Sequence, residues 1–317
     1  MRFLTKFLFF NFLIFLIWCG LIFGEANKPT AMSQWIFDAY EKKEKIAKKI
    51  KEKKIVILAG SNALFGVNSR LISKEFGMRV VNYGVNAGVE LPYTLHAAKK
   101  VISPGDIVIM PLEYPMYSYE ATPGVQMIDY ILSREASFFL ELSLREQFYI
   151  LWHVSFKRVF DGYFNQSENR VTSGLYGAHH IDSNGDQIET ALKYKTPNMF
   201  AELDALKANR YGAEFDADAV GWEYLEKFVK WCEAKSVKLI FMPSTLMKKE
   251  KYFNDSKERW FYENIANEVR ERGWLYVGEP YRYMYEKEMY FNTDFHLINR
   301  GRELRTLQMV KDLKGNI

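Results

Sequence analysis

The chain reads as a mixed α/β domain with a doubly wound, five-stranded parallel sheet, a large helical insertion and an N-terminal transmembrane helix. Three observations lead there. Short apolar, β-branched runs begin at Lys54, Arg79, Asp106, Lys238 and Trp274, as strands buried on both faces require. Helix-length amphipathic segments separate most of them, the alternation that builds a parallel sheet. Residues 7–23 carry no charge, which marks a segment for the membrane rather than for a core.

Taken in order, residues 1–26 form a signal-anchor. Arg2 and Lys6 precede the apolar stretch and Glu25 follows it, so the N-terminus is expected in the cytoplasm and the remainder outside it, periplasmic or at the cell surface. The stretch exceeds the core of a cleavable signal, although Gly24-Glu25-Ala26 also offers small residues for cleavage, the alternative. Residues 27–53, rich in lysine from Ala39 onward, predict a solvated helical stalk. Residues 54–317 form the α/β domain, with helices over 69–76 (capped by Asn68), 91–101, 217–234, 258–272 and 299–313. Between the third and fourth strands, residues 113–215 break the alternation. This aromatic-rich insertion contains a turn at Ser183-Asn184-Gly185-Asp186 and stands where α/β proteins carry lids or substrate grooves.

Composition narrows the function. With 43 basic and 39 acidic residues the net charge is +4, too balanced for a nucleic-acid surface. Cys19 lies in the span and Cys232 alone beyond it, so no intramolecular disulfide is expected there. No phosphate-binding glycine loop occurs, and His179-His180 lacks a ligand array around it, so neither cofactor nor metal is expected.

Two segments carry candidate chemistry. The first is Gly60-Ser61-Asn62, a tight turn that raises a hydroxyl above the carboxyl edge of the sheet. The second is Asp294-Phe295-His296, a carboxylate and an imidazole in one loop before the last helix. These are the parts a serine nucleophile needs: a base, and an acid to orient it.

Taken together these segments resemble the SGNH (GDSL-like) hydrolase superfamily. Ala59-Gly60-Ser61-Asn62 is similar to its first block, the segment 82–88 to its second, and 293–301 to its fifth. The resemblance implies a flavodoxin-like sheet and the catalytic set Ser61, His296 and Asp294. It also implies an oxyanion hole from the N–H groups of Ser61 and Gly84. Two departures stand out. One residue separates Asp294 from His296 where the family usually has two, as in the membrane-anchored relatives that act in alginate O-acetylation. Glu113 follows the third strand where the family places an oxyanion-hole asparagine, so that Asn62, Asn86 or a neutral Glu113 is expected to supply the missing donor. The resemblance implies a membrane-tethered serine esterase or O-acyltransferase acting on a cell-surface or lipid-linked glycan, with a multi-span membrane protein as acyl donor. A silent SGNH-like domain that binds polysaccharide or scaffolds envelope assembly is the alternative.

Overall fold

The computed structural model describes residues 2–165 and 174–317. Residues 166–173 of the expected insertion, and the charged side chain of Arg2, lie outside the described set. The main helices and strands run α1 (Arg2–Gly24), α2 (Ala31–Lys48), β1 (Lys54–Ile57), α3 (Ser61–Gly66), α4 (Ser69–Phe76), β2 (Arg79–Asn82), α5 (Glu90–Ala98) and β3 (Ile107–Met110). They continue α6 (Val125–Arg134), α7 (Leu144–His153), α8 (Phe156–Phe164), α9 (Pro197–Ala205), α10 (Val220–Glu233), β4 (Lys238–Phe241) and β5 (Leu246–Met247). The chain closes with α11 (Lys251–Asn254), α12 (Ser256–Glu271), β6 (Met284–Tyr285) and α13 (Asn299–Leu313).

The chain divides into two compact units, residues 1–37 with 121–174, and residues 38–120 with 175–317. This redraws the expected boundaries at 26 and 53. The segment 113–215, expected as one insertion, is shared out: its middle joins the N-terminal helix and its ends belong to the sheet unit. Local patterning sees helix length but not which distant helix shares a core, and so it missed this division.

In the first unit, residues 3–24 form a helix long and apolar enough to cross a membrane, with mean hydropathy 2.4. Glu25, just past its end, is fully buried. Its carboxylate pairs with Arg158 at 2.6 Å, and the same guanidinium pairs with Asp129 at 2.7 Å. Asp129 also accepts a 2.7 Å bond from the Thr30 hydroxyl. Buried charges persist only when paired in this way.

The second unit is built on a four-stranded parallel sheet in the order β2-β1-β3-β4. In register, Ile55 stands between Val80 and Ile107, and Val108 beside Leu239. All four residues of β1 are buried, which explains why its sequence is apolar without alternation. Ile55, Ile57, Ile109 and Ile240 join Met309 and Leu313 of α13 in one core cluster.

The expected fifth strand reduces to a single bridge, Tyr276 with Phe241. Phe241 donates to the Leu275 carbonyl at 2.8 Å and accepts the Val277 N–H at 3.0 Å, so this segment lies along the free edge of β4, between Gly273 and Gly278 in the left-handed region. β5 and β6 form a separate two-stranded parallel pair. Helix α4 begins and ends as its sequence requires: Asn68 accepts the Leu71 N–H at 3.4 Å, and Gly77 closes it in the left-handed region.

The solvated stalk is a correction. Within the sheet unit, Ala39, Tyr40, Lys43 and Ala47 of α2 are buried. Tyr40 packs on Tyr83 and Tyr93, and Lys42 donates to the carbonyls of Ala178 (2.8 Å) and Ile181 (2.5 Å). The lysine-rich composition concealed a packed face because aliphatic lysine stems cover apolar surface well. Lys43 goes furthest: fully buried, it donates to the Gly84 carbonyl. Burial lowers its pKa to about 7, against the opposing charges of Asp186 and Asp182.

Candidate functional site

Three strand ends converge on Ser61. β1 runs into the turn at Gly60, and Ser61 opens α3. β2 leads to Gly84 and β3 to Glu113. Glycine is needed at 60 and 84 because the backbones touch. A Cβ on Gly60 would lie 2.6 Å from the Ala87 nitrogen and from Glu113 Oε1, and one on Gly84 2.6 Å from the Gly60 carbonyl. The segments singled out in sequence therefore meet at one edge of the sheet.

Glu113 is buried, and each of its oxygens accepts a backbone N–H beside Ser61: Oε2 from Gly60 at 2.9 Å, Oε1 from Asn62 at 3.0 Å. A carboxylate accepting two N–H groups at the start of a helix is electrostatically favoured. Both Glu113 oxygens are thus engaged by the backbone of the Ser61 turn.

Two other expected donors are also engaged. The Asn62 amide donates to the Pro111 carbonyl at 3.0 Å, while its carbonyl oxygen accepts from Arg305 at 2.7 Å. Arg305, fully buried on α13, also donates to the Asn62 backbone carbonyl at 2.7 Å. Asn62 is thus a brace of the turn. The Gly84 N–H donates to Asn82 Oδ1 at 3.1 Å, and Asn82 is held in turn by a 2.9 Å bond to buried Asp186. Asn86 keeps its amide nitrogen free among the described residues, its oxygen accepting the Gly88 N–H. As the first residue of α3, Ser61 has no partner for its own N–H within the helix.

The base is held differently from expectation. His296 is buried, with its ring stacked on Phe65 at 4.1 Å and 9°. Phe65 stands four residues after Ser61 in the same short helix, a spacing that puts both on one face. His296 Nδ1 bonds Asn292 Oδ1 at 2.8 Å. The Asn292 amide donates to the Tyr176 hydroxyl at 2.9 Å, which turns its oxygen toward the imidazole. With the amide in this orientation Nδ1 donates to Asn292 and Nε2 presents a lone pair; the Tyr176 hydroxyl lies 3.4 Å from the same Nδ1. Burial lowers the His296 pKa to about 3, leaving the ring neutral.

Asp294 does not touch His296. Its Oδ2 takes a 2.5 Å bond from Asn209, and burial raises its pKa. Its backbone oxygen accepts the Met247 N–H, so the loop is tied to β5 while the carboxylate is held by Asn209. Sequence inspection passed over Asn292 because a carboxylate two residues from a histidine looks the better partner. The Asn292 spacing of four residues was the available signal. Among the described residues the Ser61 hydroxyl has no hydrogen-bond partner; His296, in the loop before α13, meets α3 through its stack on Phe65, one turn after Ser61.

Neither His179 nor His180 joins this cluster; His180 pairs with Glu189 at 3.2 Å. Compared with family models, with curated proteins and with solved structures, the chain matched none.

Proposed function

We propose that this chain is a membrane-tethered serine acyl-transfer enzyme on an SGNH-like plan, working outside the cytoplasm on O-acyl groups of a cell-surface or lipid-linked glycan. Ser61 Oγ attacks the acyl carbonyl and His296 Nε2 takes its proton. The tetrahedral intermediate then expels the alcohol, which regains that proton from His296. Water or a second sugar hydroxyl resolves the acyl-enzyme by the reverse sequence. Asn292 takes the orienting role first assigned to Asp294. The Ser61 N–H and the Asn86 amide are the donors left for the oxyanion.

One observation carries this reading: a buried, neutral histidine whose Nδ1 is fixed by Asn292, stacked one helical turn from a serine with an uncommitted hydroxyl. Labelling by a fluorophosphonate probe tests it. The full chain should label, and Ser61→Ala and His296→Ala should each lose the label while staying folded.

Glu113 favours a second reading, a silent glycan-binding domain on the same scaffold. Its carboxylate holds the N–H groups on either side of Ser61, and a negative charge there opposes an oxyanion. Folded chain that resists the probe but binds acetylated glycan would support this alternative.

A further inference from the structure

Beside its apolar core the first unit buries a cluster of charges, while two of its helices expose stripes of large apolar side chains. Glu25, Asp129 and Arg158 are buried, while Leu144, Phe148 and Trp152 of α7 and Phe156, Phe160 and Phe164 of α8 are 55–81 % exposed. The two triplets recur every fourth residue, so each forms one stripe along its helix. The opposite sides, Glu146 and Ile150 of α7 and Arg158, Val159 and Gly162 of α8, face inward. Charged groups within and aromatic groups without are the reverse of what water selects.

The stripe joins the apolar surface of α1. Trp18 packs its ring on Phe156 at 4.8 Å, and its indole N–H donates to the Leu151 carbonyl at 2.9 Å, in the last turns of α7. Tyr163 donates to the Leu21 carbonyl at 3.1 Å. Six residues separate Trp18 from the end of α1 at Gly24, about 9 Å of helix rise. An amphipathic helix in a membrane interface buries its apolar face ~5–10 Å below the headgroups. With α1 across a bilayer, the depth of the Trp18–Phe156 contact matches that layer.

We infer that α7 and α8 are interfacial helices: their Leu/Phe/Trp stripes insert into the leaflet in which α1 ends. The occupant of this face is lipid. Its continuity with α1 selects lipid over a second copy or a partner protein, since whatever covers α1 also covers the ring stacked on it. The inference rests on the membrane-anchor part of the functional reading and is independent of the chemistry at Ser61.

Site-directed spin labelling of the full chain tests it. In a Cys19→Ala/Cys232→Ser background, labels are placed by Phe148→Cys, Phe160→Cys, Phe9→Cys in α1 and Lys227→Cys on the exposed face of α10. The protein is reconstituted in phosphatidylcholine/phosphatidylglycerol vesicles. Collision rates with oxygen, which concentrates in lipid, are compared with those of a water-soluble nickel chelate. The oxygen-to-nickel ratio at 148 and 160 should exceed that at 227 severalfold and fall between those at 227 and 9. A ratio at 148 and 160 equal to that at 227, with position 9 in lipid, overturns the inference while the anchor stands. A water-like ratio at position 9 removes the anchor and the inference together. Shielding of 148 and 160 from both reagents assigns the stripe to protein contact and overturns it as well.

Discussion

At the scale of single residues, the division of labour between Asn292 and Asp294 is the sharpest outcome of the geometry. Asn292→Ala releases the imidazole, and turnover of an activated ester should drop on the order of 10²-fold, whereas Asp294→Asn, which keeps an oxygen for Asn209, should leave it nearly unchanged. Steady-state kinetics on purified variants separates the two, and the opposite ranking would restore Asp294 as the orienting acid. Glu113→Gln replaces one accepting oxygen with an NH2 group facing a backbone N–H. It should cost about 1–3 kcal/mol, the penalty of a buried unpaired donor, read from urea denaturation. His296 sets an acid limit on the fold. Its folded pKa of about 3 lies below its ordinary 6.5, so between these values the unfolded chain binds a proton that the folded chain refuses. Stability should therefore fall as pH drops through that window, by up to ~5 kcal/mol, and His296→Phe should flatten this limb of a Tm-versus-pH curve. Ser61, Gly84 and Glu113 were legible because each follows the end of an apolar strand. Asn292 was not, because the direction of a side chain in a loop depends on contacts with Tyr176 and Phe65 from distant segments.

Among the elements, the central strands owe their registration to a buried pair as well as to apolar packing. Lys54 opens β1 and bonds Asp106 at 2.6 Å, with both side chains essentially inaccessible. Asp106 also accepts the N–H of Lys54 at 3.1 Å and of Ser103 at 2.8 Å. Asp106→Ala removes three bonds at once and should destabilise by about 3–5 kcal/mol. Lys54→Met, which leaves the carboxylate its two backbone donors, should cost less, and Lys54→Met/Asp106→Leu should recover part of the loss in chemical denaturation. The four strands and the helices at 69–76 and 299–313 were legible because apolar period, caps and length agreed. The fifth run pairs with β4 at one bridge only, Tyr276 with Phe241. The lysine-rich helix α2 failed because charge counting ignores the buried Ala39, Tyr40 and Ala47 between the lysines.

Over the whole molecule, the division into two units was hidden by sequence distance: residues 121–174 share a unit with residues 1–37, and no local pattern announces that partnership. The ion cluster of Glu25, Asp129 and Arg158 ties those stretches together. Arg158→Leu strands two carboxylates in the interior and should cost the first unit about 3–5 kcal/mol. Limited proteolysis should then cut within 121–165 in the variant and spare the sheet unit; equal resistance of both units would show the cluster to be dispensable. The position of Arg305, which braces the Ser61 turn through Asn62, bears on the order in which the molecule is made. Synthesis runs from the N-terminus, so the apolar helix α1 and the serine emerge early, while the imidazole, its asparagine and the brace lie beyond residue 290. Until those residues leave the ribosome, the helix that Ser61 opens lacks both the imidazole stacked on it and the guanidinium that fixes its turn. A chain interrupted before its last helix keeps Asn292 and His296 but lacks Arg305, so the turn that carries Ser61 is among the last parts of the growing polypeptide to be fixed.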